Sequence, residues 1–215
     1  MNSQTHPFAI QERVPSTSDA QPQRSLEVPD RAAMGPYGTL VQKLVQFRQK
    51  QPDGCVVTFA SVSPGEGVTF VTEALSWELA RHAGQPVLVT SPAALAGGQY
   101  PFHITEPIDR HRVWRLAATP RPRQTAPADA RDRLQMIRER FGFVLVDCPP
   151  LSQSSAIFSV APISDGIVLV VAAGQTKRRD IEAARRLLAS TSVPLLGLVL
   201  NKQRSHVPKI LAAFV

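Results

Sequence analysis

Cysteine is scarce in this 215-residue chain: there are two, Cys55 and Cys148, and neither belongs to a C-x-x-C pair or a Cys/His cluster. That argues against a metal site built on thiols, and both residues read as buried thiols at strand edges. Long apolar runs are missing too. None reaches the roughly 18 residues that a membrane-crossing helix needs. The N-terminus lacks the basic-then-apolar pattern of a secretory leader, so a cytoplasmic protein is the expectation. Aromatic residues make up 6% of the chain, and they are not interleaved with its basic residues. A nucleic-acid surface is therefore not expected. Acidic residues are outnumbered, 17 against 24 Lys+Arg, for a net charge of +7. That balance reads first as a solvated basic surface and second as a face for anionic lipid.

What is present suits one domain with a tail, and 43% hydrophobic content over this length supports a real core. Residues 1–33 hold Pro7, Pro15, Pro22 and Pro29 among polar residues, with too few apolar side chains to offset the entropy of ordering. They are expected to form a disordered N-terminal tail, and residues 34–215 the folded domain. Within it, helices are predicted over Tyr37–Gln49, Thr69–His82, Ala130–Phe141 and Lys177–Ser190. The last is predicted to turn Ile181, Ala184, Leu187 and Leu188 inward and its arginines outward. Residues 91–111 read as irregular, Asp165 before Gly166 as a turn residue, and 208–215 as a short closing helix.

Strands are predicted at Cys55–Ala60, Val87–Thr90, Arg112–Ala117, Phe143–Asp147, Ile167–Ala173 and Leu195–Leu200. They are mostly short, apolar and without alternation, and helices separate them. That is the signature of an α/β fold, a parallel sheet with helices on both faces. Ligands in such sheets bind at the carboxyl ends of the strands. Three features fall there: the stretch Ser61–Thr69, Asp147 and Asn201.

Strand, glycine-bearing turn and helix around Pro64, Gly65, Glu66, Gly67, Val68 and Thr69 is the context of a phosphate-binding P-loop. Such a loop aims backbone N–H groups and a helix N-terminus at phosphates. Its lysine adds a full charge, its Ser/Thr hydroxyl a metal ligand, and an acid on a neighbouring strand supports the metal. Here Thr69 could supply the hydroxyl and Asp147 the acid, while Val68 stands where the lysine belongs. Asp147 before Pro149-Pro150 reads equally well as a loop cap.

Four stretches together carry a resemblance: Pro64–Thr69, Phe143–Pro150, Ser164–Gly174 and Pro194–Asn201. Their order and spacing resemble the cytoplasmic bacterial tyrosine kinases of capsule and exopolysaccharide assembly, relatives of the MinD/ParA P-loop ATPases. The likeness spans about residues 34–205. It implies a P-loop NTPase-like, kinase-like domain with ATP and Mg²⁺ as cofactors and a membrane-bound polysaccharide chain-length regulator as partner. It would place the chain in the cytoplasm, peripheral at the inner membrane through that partner. It also places Asn201 near the nucleotide base.

The departures from the pattern run together. Val68 replaces the lysine. Ser91 and Ala93 replace two aspartates of the second acidic motif, and Leu95 its arginine. Gly35, Gly38 and Val41 stand where an oligomerisation helix carries Glu-x-x-Arg-x-x-Arg, so no oligomeric ring is expected. The tyrosine-rich acceptor tail has no counterpart, the tyrosines being Tyr37 and Tyr100. The combined expectation is a catalytically impaired, pseudokinase-like regulatory scaffold whose Pro64–Thr69 loop and Asn201 are vestigial nucleotide-binding residues. The alternative is a working ATP-dependent tyrosine kinase with a cation borrowed from the arginines of 112–123 or from a partner. A MinD/ParA-like ATPase is the third reading, weakened because Ser61-Val62-Ser63 lacks that family's second lysine.

Overall fold

The computed structural model describes residues 37–51, 53–96, 104–105, 112–116 and 127–203. The expectations for the tail 1–33, the closing helix 208–215, Gly35 and most of the arginine-rich 112–123 stretch lie outside these residues.

In chain order the elements are α1 (Gly38–Arg48), β1 (Cys55–Ser61), α2 (Val68–Ala83), β2 (Val87–Thr90), α3 (Pro92–Ala96), β3 (Ile104–Thr105), β4 (Val113–Leu116), α4 (Pro127–Arg140), β5 (Phe143–Asp147), α5 (Ala156–Val160), β6 (Gly166–Ala172), α6 (Arg178–Ala189) and β7 (Leu195–Asn201). The strands form one sheet in the order β3-β4-β2-β5-β1-β6-β7. Every pairing is parallel except the two-residue β3, which runs antiparallel to β4 at the edge. The predicted parallel sheet with helices on both faces is therefore the observed one.

Each face of the sheet has its own core. Val57 and Phe59 of β1 pack with Val41, Leu44 and Val45 of α1 and with Val71, Leu75 and Leu79 of α2. Val56 and Ala60, pointing the other way, pack with Leu134 and Ile137 of α4, Ile157 of α5 and Leu188 of α6. All seven residues of β1 and all seven of β6 are buried. A strand covered on both faces is apolar at most positions, which is why these runs carry no alternation, and the buried hydroxyls of Thr58 and Ser61 are hydrogen-bonded to Ser164 and to the Ser63 carbonyl. Burying each large side chain contributes about 1.5–3 kcal/mol.

Three sequence expectations need correction. Residues 91–111 are not irregular throughout, because α3 and β3 lie within them; Ser91 Oγ accepts from the Ala94 N–H at 3.2 Å and starts α3. Leu187 faces solvent, at 36% exposure, because α6 meets the core through Ala184 and Leu188, with Ile181 packed partly against it. Asp165 does more than turn the chain. Its carboxylate receives both terminal nitrogens of Arg138, at 2.9 and 3.0 Å, and the Val56 N–H at 2.7 Å. Arg138 also donates to the carbonyls of Ile163 and Gly54. This pair fastens α4 to the entry ends of β1 and β6.

Candidate functional site

The central strands β1, β5 and β2 deliver the loop Val62–Gly67, Asp147 and Ser91 to the carboxyl edge of the sheet. The outer strand β7 brings Asn201 to the same edge. The loop, Asp147 and Ser91 border a cavity of about 860 Å³ lined by Pro64–Thr69, Ser91–Ala93, Asp147–Pro150 and the start of α5, while Asn201 stands outside that lining and reaches the loop through the Glu66 carbonyl.

The loop keeps the shape of a phosphate cradle through contacts within the protein. Gly67 precedes α2 with φ +91, a conformation that side-chain-bearing residues rarely adopt. A Cβ at this position would strike the Asn201 amide. Asn201 Nδ2 donates to the Glu66 carbonyl at 2.9 Å, so Asn201 clamps the loop from the end of β7. The Glu66 side chain is buried and folds back into the loop. Its Oε2 accepts the N–H groups of Val62 and Ser63, at 2.7 and 2.9 Å, and its Oε1 accepts the Thr176 hydroxyl. A carboxylate thus already occupies the two amides that open the loop.

Val68 sits at the first position of α2 and is 7% exposed, packed in the core that α1 and α2 share. Thr69, the next residue, faces the sheet edge, and its hydroxyl donates to Asp147 Oδ2 at 2.8 Å. Burial pushes the Asp147 carboxyl above its ordinary value. The Thr69 hydrogen bond opposes that rise, Glu73 adds to it, and Arg115 opposes it. Arg115 on β4 is ion-paired with Glu73, one helical turn beyond Thr69 on α2. Cys148, also in the cavity wall, has its thiol pushed up to about 12 by burial and then by the Asp147 charge.

The structure therefore brings together all the residues singled out in the sequence: Pro64 to Thr69, Asp147, Ser91, Ala93 and Asn201. It assigns two of them contacts the motif alone does not suggest, Glu66 as internal anchor and Asn201 as loop clamp. The loop-cap reading of Asp147 gives way to the hydroxyl contact with Thr69. Thr176 and Glu73 escaped the sequence reading, Thr176 because it comes from beyond β6 and Glu73 because no motif marks it; Arg115 belongs to the 112–123 arginines named as a source of a borrowed cation, but its pairing with Glu73 carries no local signal.

One carboxylate and one hydroxyl make a poor cation cage by themselves, and no cluster of three or more His, Cys, Asp or Glu side chains exists among the described residues. Mg²⁺ held by so few protein ligands depends on nucleotide phosphates for the rest of its shell. The pair fits the metal only as part of a nucleotide complex.

No protein-family model matches the chain. The tyrosine-protein kinase CpsD of Streptococcus pneumoniae serotype 4 is 25% identical over 171 residues, covering 68% of this chain and 75% of that protein. The kinase domain of the Escherichia coli tyrosine kinase ETK superimposes with a TM-score of 0.62 at 18% identity, over 88% of this chain and 87% of that one. The septum site-determining protein MinD of Pyrococcus horikoshii, solved in complex with Mg-ADP, gives a TM-score of 0.51 at 18% identity, over 75% and 76%. The resemblance to bacterial tyrosine kinases of the MinD-like P-loop class is borne out, in sequence by CpsD and in fold by the two solved structures.

Proposed function

We propose that this chain, a CpsD-like P-loop protein, serves exopolysaccharide or capsule assembly as a kinase-like scaffold that acts by binding, with phosphoryl transfer impaired. One observation carries the reading. Among the described residues the loop cavity contains two carboxylates, Glu66 and Asp147, and no lysine, arginine or histidine. P-loop catalysis is positioning plus electrostatic stabilisation of a polyanion, so the cation is central to it. Losing one charge-assisted phosphate contact costs about 1.5–3 kcal/mol of grip. Here the remaining fixed charges in the cavity repel the ligand as well. ATP and Mg²⁺ would accordingly bind weakly or not at all.

The partner of such a scaffold is a membrane-bound polysaccharide chain-length regulator, which would hold the chain at the inner membrane from the cytoplasm. The exposed arginines of α6, Arg185 and Arg186, offer a supplementary face for anionic lipid. No helix among the described residues is long and apolar enough to cross a membrane.

A second reading, an active ATP-dependent tyrosine kinase, has one observation in its favour. The Thr69–Asp147 pair keeps the two groups a nucleotide-bound metal would use. That reading needs a replacement cation. Arg115 acts electrostatically on Asp147 but would have to leave Glu73 to meet a phosphate. Complementation separates the two. In a host deleted for this gene, the scaffold reading expects Asp147→Asn to restore polymer export as fully as the wild-type gene. A folded, normally abundant Asp147→Asn protein that fails to restore export would overturn it.

A further inference from the structure

The outermost strand carries an apolar face that no described element covers. Leu195, Leu198 and Leu200 of β7 are 36%, 46% and 52% exposed, and Leu187 of α6 is 36% exposed. The strand register groups the three β7 leucines. Leu195 pairs with Ile167, Leu198 with Leu169 and Leu200 with Val171, and those β6 residues belong to the core beneath α6. Directly paired residues share a face of the sheet. The irregularity between Ile167 and Val168 is what lets Leu195 share the face of Leu198. Among the described strands β7 is also an edge, bonded only to β6. Leu195–Asn201 contains no charge and no proline, the usual protections of an exposed edge. A contiguous apolar face of this kind marks an interaction surface.

The sequence that follows matches the face. Lys202, directly after β7, has φ +57, a left-handed conformation that turns the chain out of the strand direction. Beyond it come Val207, Ile210, Leu211, Phe214 and Val215. Their spacing of i, i+3, i+4, i+7 and i+8 is the stripe of an amphipathic helix. Nine helical residues span about 13 Å. The stretch from Leu195 to Leu200 spans about 17 Å. Residues 203–206 supply a connection of ordinary length.

We propose that residues 207–215 dock their apolar stripe on the leucine face of β7, closing the sheet edge from the α6 side. The proposal is independent of whether the loop cavity binds nucleotide. Hydrogen exchange on the full chain tests it. Ile210→Asp together with Phe214→Asp should speed exchange of the β7 amides by about tenfold or more, leaving β1 and β5 unchanged and the mass monomeric. Unchanged β7 exchange would overturn the proposal. A second variant keeps the test alive if that protein does not fold. Cys55 and Cys148 are buried, so Leu198→Cys with Ile210→Cys supplies the accessible thiols for a short bismaleimide. Crosslinking within one chain is the expected result. Crosslinking between two chains would assign the face to a second copy, and absence of any crosslink would likewise refute the docking.

Discussion

The Thr69 hydroxyl donates to the Asp147 carboxylate at 2.8 Å, tying the start of α2 to the end of β5 across 78 residues of sequence. Burial still leaves the Asp147 carboxyl with a raised pKa. A carboxyl whose folded pKa is raised binds its proton more tightly in the native state, so it lowers stability as pH rises through the interval between the unfolded and folded values. Asp147→Asn removes that penalty and keeps an acceptor for Thr69. Its melting temperature relative to wild type should rise between pH 4 and pH 7. A difference that stays flat over that range would show that Asp147 titrates as it does in the unfolded chain.

Val68 explains why restoring one residue should not restore function. Its side chain is part of the core between α1 and α2. Val68→Lys gives up that burial, and the lysine stem can recover only part of it by reaching for the surface. A loss of about 1–2 kcal/mol is expected, which for a domain of this size lowers the melting temperature by about 2–8 °C. The variant should gain no measurable ATP affinity, because Ser91 and Ala93 still stand where acids would. Calorimetric melting and a nucleotide titration of the same preparation check both parts.

Arg138 and Asp165 form a part-buried polar fastening of five hydrogen bonds that reach α4, β1 and the approach to β6. Arg138→Ala leaves the Asp165 charge largely buried without its partner. A cost of about 3 kcal/mol is expected, read as a shift in the denaturant midpoint. Adding Asp165→Asn should recover part of that loss, and a strictly additive double variant would contradict the coupling.

Both thiols should be inert in the native protein. Burial is the leading cause that pushes Cys55 and Cys148 up to about 12. The thiolate is the reactive form, so native chain at pH 8 should resist a maleimide that labels both residues in denaturant. Above pH 9 the unfolded thiols ionise while the folded ones do not, so stability should fall progressively toward pH 12. Rapid native labelling of Cys148 would mean that the cavity wall opens.

Much of the fold was legible because a two-sided parallel sheet writes itself as uninterrupted apolar runs. Val87–Thr90 and Phe143–Asp147 have the bounds that their apolar runs predict. The five-residue helices α3 and α5 are too short to display a period. Leu187 has the spacing of an inward residue, but α6 meets the sheet through a narrower stripe than spacing alone implies. In the site, the loop, Asp147 and Asn201 carry local motifs and were found. The partners that decide their behaviour are invisible locally. Thr176 reaches Glu66 across 110 residues, and Asn201 reaches it across 135.

On the scaffold reading this loop keeps its shape without keeping its grip on phosphate. Titration of the purified full chain with fluorescent ATP and Mg²⁺ tests it most directly. No saturable binding is expected at micromolar nucleotide, for the wild-type chain and for Val68→Lys alike. Saturable micromolar binding by the wild-type chain would contradict it and would return the protein to the active kinases it resembles.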